Sequence, residues 1–411
     1  MTVPGQESVD RLIENEQRFD AFLNSDGTYQ TRLGANVETI PSLMARLQNL
    51  YNANAVSYDA TSVYNAATVG KALQKTICVT DTPFNAVGDG IADDTTAIQL
   101  AINHCSGKTV IIPKGVYKIT STITVPIDTL IQAHGARINC SNQITAFDFI
   151  NGGGIIGGSL IGPSANVYNS NGIGINCDGS NNAPLSPTFV KAPLIAECDI
   201  SNFGSYGIFL KYVNLGVIKD CKISGVGYTG IGVMSGTDVI VSNNKISLIG
   251  PGPNNGDAYG IFFSRLYGAS ETEEPRSYRC SANNNNIYSV VATGGNNGQG
   301  IDTHGGADLT FNDNHISACQ VGIGITYSLV SETPALAPKR ITASGNVING
   351  LSENWGIMIS GAISGETIYD YAEQIVCSGN TITNHGAPNT ATTGAIWMQA
   401  SLSTSLNGNT C

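Results

Sequence analysis

The sequence predicts an all-β chain wound as a single-stranded parallel β-solenoid, preceded by a short, mostly helical N-terminal region. Three observations predict it. A Gly-Ile pair opening an alternating stretch recurs at Gly172, Gly207, Gly230, Gly260, Gly300, Gly322 and Gly356, with a last copy at Ala395-Ile396. An Asn-x-Ile triplet accompanies it at Asn244, Asn285, Asn314, Asn346 and Asn380, with Cys in the Asn place at Cys198 and Cys221. The 48 glycines and the 12% charged residues, against a usual charged share of ~25%, describe a chain of turns and strands with few long surface helices.

The shortest Gly-Ile intervals are 23 residues (Gly207 to Gly230) and 22 (Gly300 to Gly322), and the 40 from Gly260 to Gly300 are the same unit with a loop inserted. Such a unit cannot bury its own apolar face, but copies stacked ~4.8 Å apart can. The Ile column then forms the core, and the Asn column an interior ladder at a bend, each amide bonding to the next coil. The glycines lack the three-residue period of collagen. With 41% hydrophobic residues the chain buries a large core. A net charge of -11 and a pI near 4.8 argue against a nucleic-acid partner. No apolar run approaches the ~18 residues of a membrane helix, and residues 1–16 lack an apolar signal core. The ten cysteines form no CxxC pair and no zinc-spaced cluster, so they are expected as free buried thiols, with no metal or cofactor.

In chain order, residues 9–23 predict a helix, since Val9, Leu12, Ile13, Phe19, Phe22 and Leu23 fall near one face. A second helix is predicted over 40–50, with Pro41 in its first turn. These helices carry too little apolar area to stand alone and are expected to pack on copies of themselves or on a partner. Residues 1–77 form this N-terminal region and 78–411 the solenoid. The sharpest local motif is FNAVGDGIADDTTAI at 84–98. Asp89-Gly90 makes a turn, and Asp93 or Asp94 offers an N-cap oxygen to a helix over 95–104. Strands follow at 109–112, 115–119, 121–125 and 129–132. The motif's acids take structural roles.

The 84–98 motif followed by Gly-Ile and Asn-x-Ile coils resembles the pectate-lyase-like right-handed parallel β-helix superfamily. More narrowly it is similar to bacteriophage tailspikes that degrade host surface polysaccharide, with residues 28–34, TYQTRLG, similar to the neck before the β-helix. The resemblance implies a right-handed helix and a homotrimer on the virion tail, synthesised in the host cytoplasm. It also implies that the N-terminus docks to a tail or baseplate protein and that carbohydrate, a capsule or O-antigen, lies along the solenoid. The sequence ends with Asn409-Thr410-Cys411 in the Asn-x-Ile place, mid-coil. An open edge is therefore expected there, with a C-terminal capping or trimerising region absent.

Strand alternation turns the Ile and the residue two later inwards and the others outwards. One outward column is Gly174, Phe209, Gly232, Phe262, Asp302, Gly324, Met358 and Trp397. The other is Asn176, Lys211, Met234, Ser264, His304, Thr326, Ser360 and Gln399. One coil supplies a carboxylate and an imidazole together, Asp302 and His304, and these are the candidate catalytic residues. Glycoside hydrolysis needs two carboxyls, ~5–5.5 Å apart for retention or ~6.5–9.5 Å for inversion. Asp257 is the preferred partner and Glu353 its rival. Phe209, Phe262 and Trp397 are placed to stack on sugar rings, and Lys211, Arg265 and Tyr327 to orient substrate, with Arg265 suited to an acidic sugar. His104, His134, His315 and His385 are assigned no role in chemistry. Endo-glycosidic hydrolysis ranks first. The alternatives are a lyase using His304 as base with Arg265 on a uronate, and a glycan-binding adhesin without catalysis.

Overall fold

Ile175, Ile208, Ile231, Ile261, Ile301, Ile323, Ile357 and Ile396 pair in register, one per coil, along a single parallel sheet. A computed structural model describes residues 14, 16–21, 23–24, 28–30, 36–51, 76–105, 107–165, 167–179, 190–265, 275–293, 297–328, 335–350, 355–384 and 395–411. The chain divides into two units, Met1–Asn65 and Ala66–Cys411.

In the first unit, residues 16–21 are helical, and Arg18 pairs with Glu14 one turn earlier at 3.1 Å. The start of that expected helix, residues 9–13, lies outside the described residues. A helix runs Ile40–Tyr51, as the pattern predicts. Between the helices, where the sequence shows only Gly and Asn breakers, Thr28–Gln30 and Asn36–Glu38 pair antiparallel.

The second unit is a parallel solenoid with three faces. A ten-stranded sheet holds the Gly-Ile strands from Ile123–Val125 to Ile396–Gln399. A thirteen-stranded middle sheet begins at Thr76–Cys78, and an eleven-stranded sheet carries the Asn-x-Ile strands. One coil runs Thr229–Met234, Ile240–Ser242 and Lys245–Ile249 before the next Gly-Ile strand, Ala258–Ser264. Because Thr76–Cys78 already pairs with Thr109–Ile111, the solenoid starts before the expected boundary at residue 78.

Burial follows the predicted alternation. Ile208 and Leu210, Ile231 and Val233, Ile261 and Phe263, Ile323 and Ile325 have no exposed surface. Each such side chain contributes about 1.5–3 kcal/mol relative to exposure. The Asn column is an interior ladder. Asn244, Asn285, Asn314, Asn346 and Asn380 are at most 1% exposed. In each, the backbone N–H and the Nδ2 both donate to the Oδ1 of the Asn one coil on, as from Asn314 to Asn346 at 2.9 and 3.0 Å. The second Nδ2 hydrogen reaches back to a carbonyl of the preceding coil, for Asn346 that of Phe311 at 2.8 Å. Asn409 continues the ladder, accepting from Asn380, and Cys221 ends it, donating its N–H to Asn244.

The ladder and the Gly-Ile motif are coupled. A Cβ on Gly230 would stand 2.6 Å from the Gly260 carbonyl oxygen and 2.7 Å from Cγ2 of Ile246, the Ile of an Asn-x-Ile triplet. Glycine is required because the next strand and that Ile fill the corner. The same test corrects the first copy. Gly174, not Gly172, packs against Cγ2 of an Asn-x-Ile-type residue, Ile200, so this copy begins two residues later than the motif suggested. Gly172-Ile173-Gly174-Ile175 offers two Gly-Ile pairs, and only packing chooses between them.

Around 84–98 the acids hold turns. Asp89 accepts from the N–H groups of Ile91 and Ala92, and Asp93 from Thr95 N and Thr120 Oγ1. Asp94 turns back to Val87 N and Gly88 N instead of capping the helix Thr95–Asn103. Eight of the ten cysteines are buried and free, Cys78 is half-buried and Cys411 exposed. Beyond Trp397 the chain adds strands to the edge of Ala372–Ser378 and leaves Met398, Leu402 and Leu406 exposed.

Candidate functional site

With the first copy re-registered, the outer face of the Gly-Ile sheet carries a longer column than the motif shows. It runs Asp148, Asn176, Phe209, Gly232, Phe262, Asp302, Gly324, Met358, Trp397. Beside it lie Asp178, Lys211 and Met234, and further along His304 opposite Thr326.

Asp302 points outwards from the sheet yet has no exposed surface. The His304 imidazole Nε2 stands 2.9 Å from its Oδ2 and keeps 18% of its side chain exposed. Tyr259 and Phe262 stack at 4.6 Å, and both rings meet His304 edge-on. They are 3% and 2% exposed and join Met234 in a small apolar cluster outside the solenoid core. The Oδ1 of Asp302 and the Oε1 of the buried Gln299 lie over Gly324, where no Cβ would fit. Burial raises the Asp302 carboxyl above its ordinary range; His304 opposes this, and the charge of Asp257 adds to it.

The structure thus brings Asp302, His304 and Phe262 together, with Asp257 near enough to act electrostatically. It also closes Asp302, Phe262 and Arg265 (1% exposed) away from solvent, where they were expected to line a groove. Alternation states which face a side chain leaves by. It does not state whether that face has a second layer. The half-buried Asp257 accepts a hydrogen bond from Asn297 N at 2.8 Å, holding the start of the next coil. Glu353 lies outside the described residues. Tyr327 is half-buried just after Val321–Thr326. Trp397 sits three coils beyond Asp302, beside Trp355 at 5.6 Å. His104 packs edge-on to Phe84 and His134 pairs with Glu197 on the surface, while His385 is outside the described residues.

An accessible part of the face lies at the lower coils. Tyr206 and Phe209 stack at 4.2 Å, both half-buried, over the flat floor that Gly232 leaves. Tyr228 continues the aromatic row from Tyr206 to Tyr259. One coil below Phe209, Asn176 Nδ2 donates to Asp148 Oδ1 at 2.7 Å. Lys211 Nζ stands 3.2 Å from Asp178 Oδ2, with side-chain exposures of 20% and 24%, and 5.8 Å over the Tyr212 ring. Burial pushes the Asp148 carboxyl above its ordinary range; the Asn176 hydrogen bond opposes this, and the Asp178 charge adds to it. Neither acid is flagged by the sequence motif. Asp178 hid behind the two-residue ambiguity, and the Asp148 strand, Thr145–Phe149, lacks Gly-Ile altogether.

Elsewhere, a cleft of about 470 Å³ is lined by Tyr278, Arg276, Lys339 and Arg340 among others. Neighbouring acids already hold Lys339 and Arg340: Asp370 and Glu373 the former, Asp308 the latter. Among the described residues no group of three or more His, Cys, Asp or Glu is placed to hold a metal, and no helix is long and apolar enough to cross a membrane.

The family model of the right-handed beta helix region matches residues 157–411, more than half of the chain. Over 226 residues the chain is 27% identical to the tail spike protein of Salmonella phage epsilon15, covering 54% of this chain and 19% of that protein. Over 224 residues it is 27% identical to a capsule-specific depolymerase of Klebsiella phage K64-1, covering 50% of this chain and 27% of that protein. The chain therefore spans about a fifth to a quarter of the length of these relatives. A mutant tailspike protein of E. coli bacteriophage HK620, in complex with a pentasaccharide, shares the fold with a TM-score of 0.59 at 12% identity, over 87% of this chain and 66% of that one.

Proposed function

The chain belongs to the right-handed β-helix family, and from that premise we propose that it is a phage tailspike that binds and depolymerises a bacterial surface polysaccharide. The reaction in this proposal is endo-glycosidic hydrolysis of a capsule or O-antigen on the outer face of the Gly-Ile sheet. One observation carries it: the half-exposed Tyr206–Phe209 stack lies beside half-buried carboxylates and Lys211 on successive coils of that face. Aromatic faces flanked by a few fixed polar groups are what sugar rings require. The names of the two relatives, a tail spike and a capsule depolymerase, support the same reading. Homotrimerisation, attachment to the virion through residues 1–77 and assembly in the host cytoplasm belong to the proposal through the tailspike resemblance.

Of the expected catalytic set, His304 keeps 18% of its side chain exposed and stands against the enclosed Asp302 at 2.9 Å. That pairing favours one second reading. A ring nitrogen backed by a buried carboxylate suits proton abstraction, as a lyase acting on a uronate needs. The burial of Arg265, which would have neutralised the uronate, counts against it.

The test is the size distribution of purified capsule or O-antigen after incubation with the protein. Shortening without unsaturated uronate is the expected result. Shortening with ultraviolet absorbance at the new chain ends would make it a lyase, and binding with no change in polymer size would make it an adhesin.

A further inference from the structure

We propose that Asp148 and Asp178 are the hydrolytic pair, with Asp148 as general acid and Asp178 as general base, acting on a neutral hexose segment laid across Tyr206 and Phe209. The assignment rests on the polysaccharide-degrading reading and names the site within it. Register sets the spacing. Asp178 lies one coil above Asp148 and two residues further along its strand, since Asp148 pairs with Asn176. One coil of ~4.8 Å and two residues of ~3.3 Å put the two Cα atoms about 8 Å apart. Both side chains leave by the same face, so from these Cα positions their carboxyls can reach the ~6.5–9.5 Å separation that inversion uses.

The two acids have different surroundings, as an acid and a base need. Lys211 holds Asp178 by an ion pair at 3.2 Å, with Tyr212 beneath the ammonium group. Among the described residues Asp148 has the Asn176 amide as its one hydrogen-bond partner, and it is half-buried. The groups that face it are Asn176 and Asp178 from the next coil and Thr124 from the coil before. Burial favours its protonated form. Both acids keep a path to solvent, which Asp302, wholly enclosed, does not. The stacked Tyr206 and Phe209 stand on the coil directly above Asn176. Lys211 pairs with Asp178 and burial favours the neutral form of Asp148, surroundings that suit an uncharged segment.

In the step, Asp148 gives its proton to the glycosidic oxygen as the bond to the anomeric carbon breaks. A water adds to that carbon from the other face and Asp178 takes the water's proton. Solvent then returns a proton to Asp148 and removes one from Asp178. One water is consumed per bond.

The experiment compares Asp148→Asn, Asp178→Asn and Asp302→Asn on a purified polysaccharide that wild type shortens, with binding to the same polymer measured by calorimetry and folding by thermal melting. The expected result is a loss of at least about 100-fold in rate for the first two. Their affinity stays within about threefold of wild type, and Asp302→Asn stays within about threefold in rate. Should either Asn variant fail to fold, Asp148→Glu and Asp178→Glu, which keep the carboxyl but move it, are expected to bind normally and cleave at least about tenfold more slowly. Near wild-type rates in folded Asp148 and Asp178 variants would overturn the assignment, as would loss of activity confined to Asp302→Asn. A wild-type protein that binds but cleaves no polymer would sink the degrading reading itself, an outcome seen before any variant is made.

Discussion

His304 closes over Asp302, its Nε2 2.9 Å from a carboxylate that has no exposed surface. The pair faces outwards from the sheet, yet Tyr259 and Phe262 wall it in. Burial is the largest influence on the carboxyl, and it raises the value above the usual ~3.9. A raised carboxyl contributes stability fully below its unfolded value and loses it as pH rises through the folded one. At neutral pH the ionised form therefore weakens the fold. Asp302→Asn is expected to melt about 1–3 °C higher than wild type at pH 7–8, with the difference fading towards pH ~4. Melting curves across that pH range check it, and a variant that melts lower throughout would show that the His304 pairing outweighs burial.

The Asn ladder is the solenoid's polar spine, and Asn346 sits inside it. Its side chain donates to Phe311 O and Asn380 Oδ1 and accepts twice from Asn314. Asn346→Ala deletes four hydrogen bonds and strands buried partners, at a cost of about 3–5 kcal/mol. Asn346→Asp keeps the acceptor but sets an anion against Asn380 Oδ1, and is expected to cost no less. Denaturant midpoints measure both; a loss under about 1 kcal/mol in either would show that water replaces the amide.

Gly230 tests the coupling between the two repeated motifs. Gly230→Ala places a methyl against the Gly260 carbonyl and Ile246, and is expected to destabilise by about 1–3 kcal/mol. Gly365→Ala is a useful contrast, since a Cβ there meets nothing within 4 Å, although its φ of +60° still carries strain. If the two variants unfold alike, close packing is not what demands glycine at the corner.

Phe209 and Trp397 separate the two ends of the outer face. Phe209→Ala is expected to weaken polysaccharide binding by about tenfold, the worth of one stacked aromatic ring. Trp397→Ala, changed beside Trp355 and three coils from His304, is expected to leave affinity within about twofold. Calorimetry on a purified polysaccharide that binds wild type decides, and the reverse ranking would move the glycan to the far coils.

The repeat made most of the solenoid legible before any coordinates. Ile208, Ile231 and Ile261 recur because each coil must present the same apolar residue to the coil beside it. Asn314 and Asn346 recur because each amide needs an identical partner ~4.8 Å away. The hairpin of Thr28–Gln30 with Asn36–Glu38 was not legible, since its strands have three residues each and no period to detect. The first coil was misread by two residues because Gly172 and Gly174 are equivalent until Ile200 packs against one of them. That slip concealed Asp178.

By itself, then, the sequence determined what repeats: the coil, its Ile core, its Asn ladder and the outward direction of Asp302, His304, Phe209 and Lys211. The tertiary structure alone decided which of those outward residues meet solvent. Asp302 is enclosed behind His304, which Tyr259 and Phe262 flank, while Asp148 and Asp178 remain half-open beside the Tyr206–Phe209 stack. Direction follows from the two-residue period of one strand, which is local. Exposure depends on side chains arriving from other coils at separations of 20 to 40 residues, and no local pattern encodes that packing.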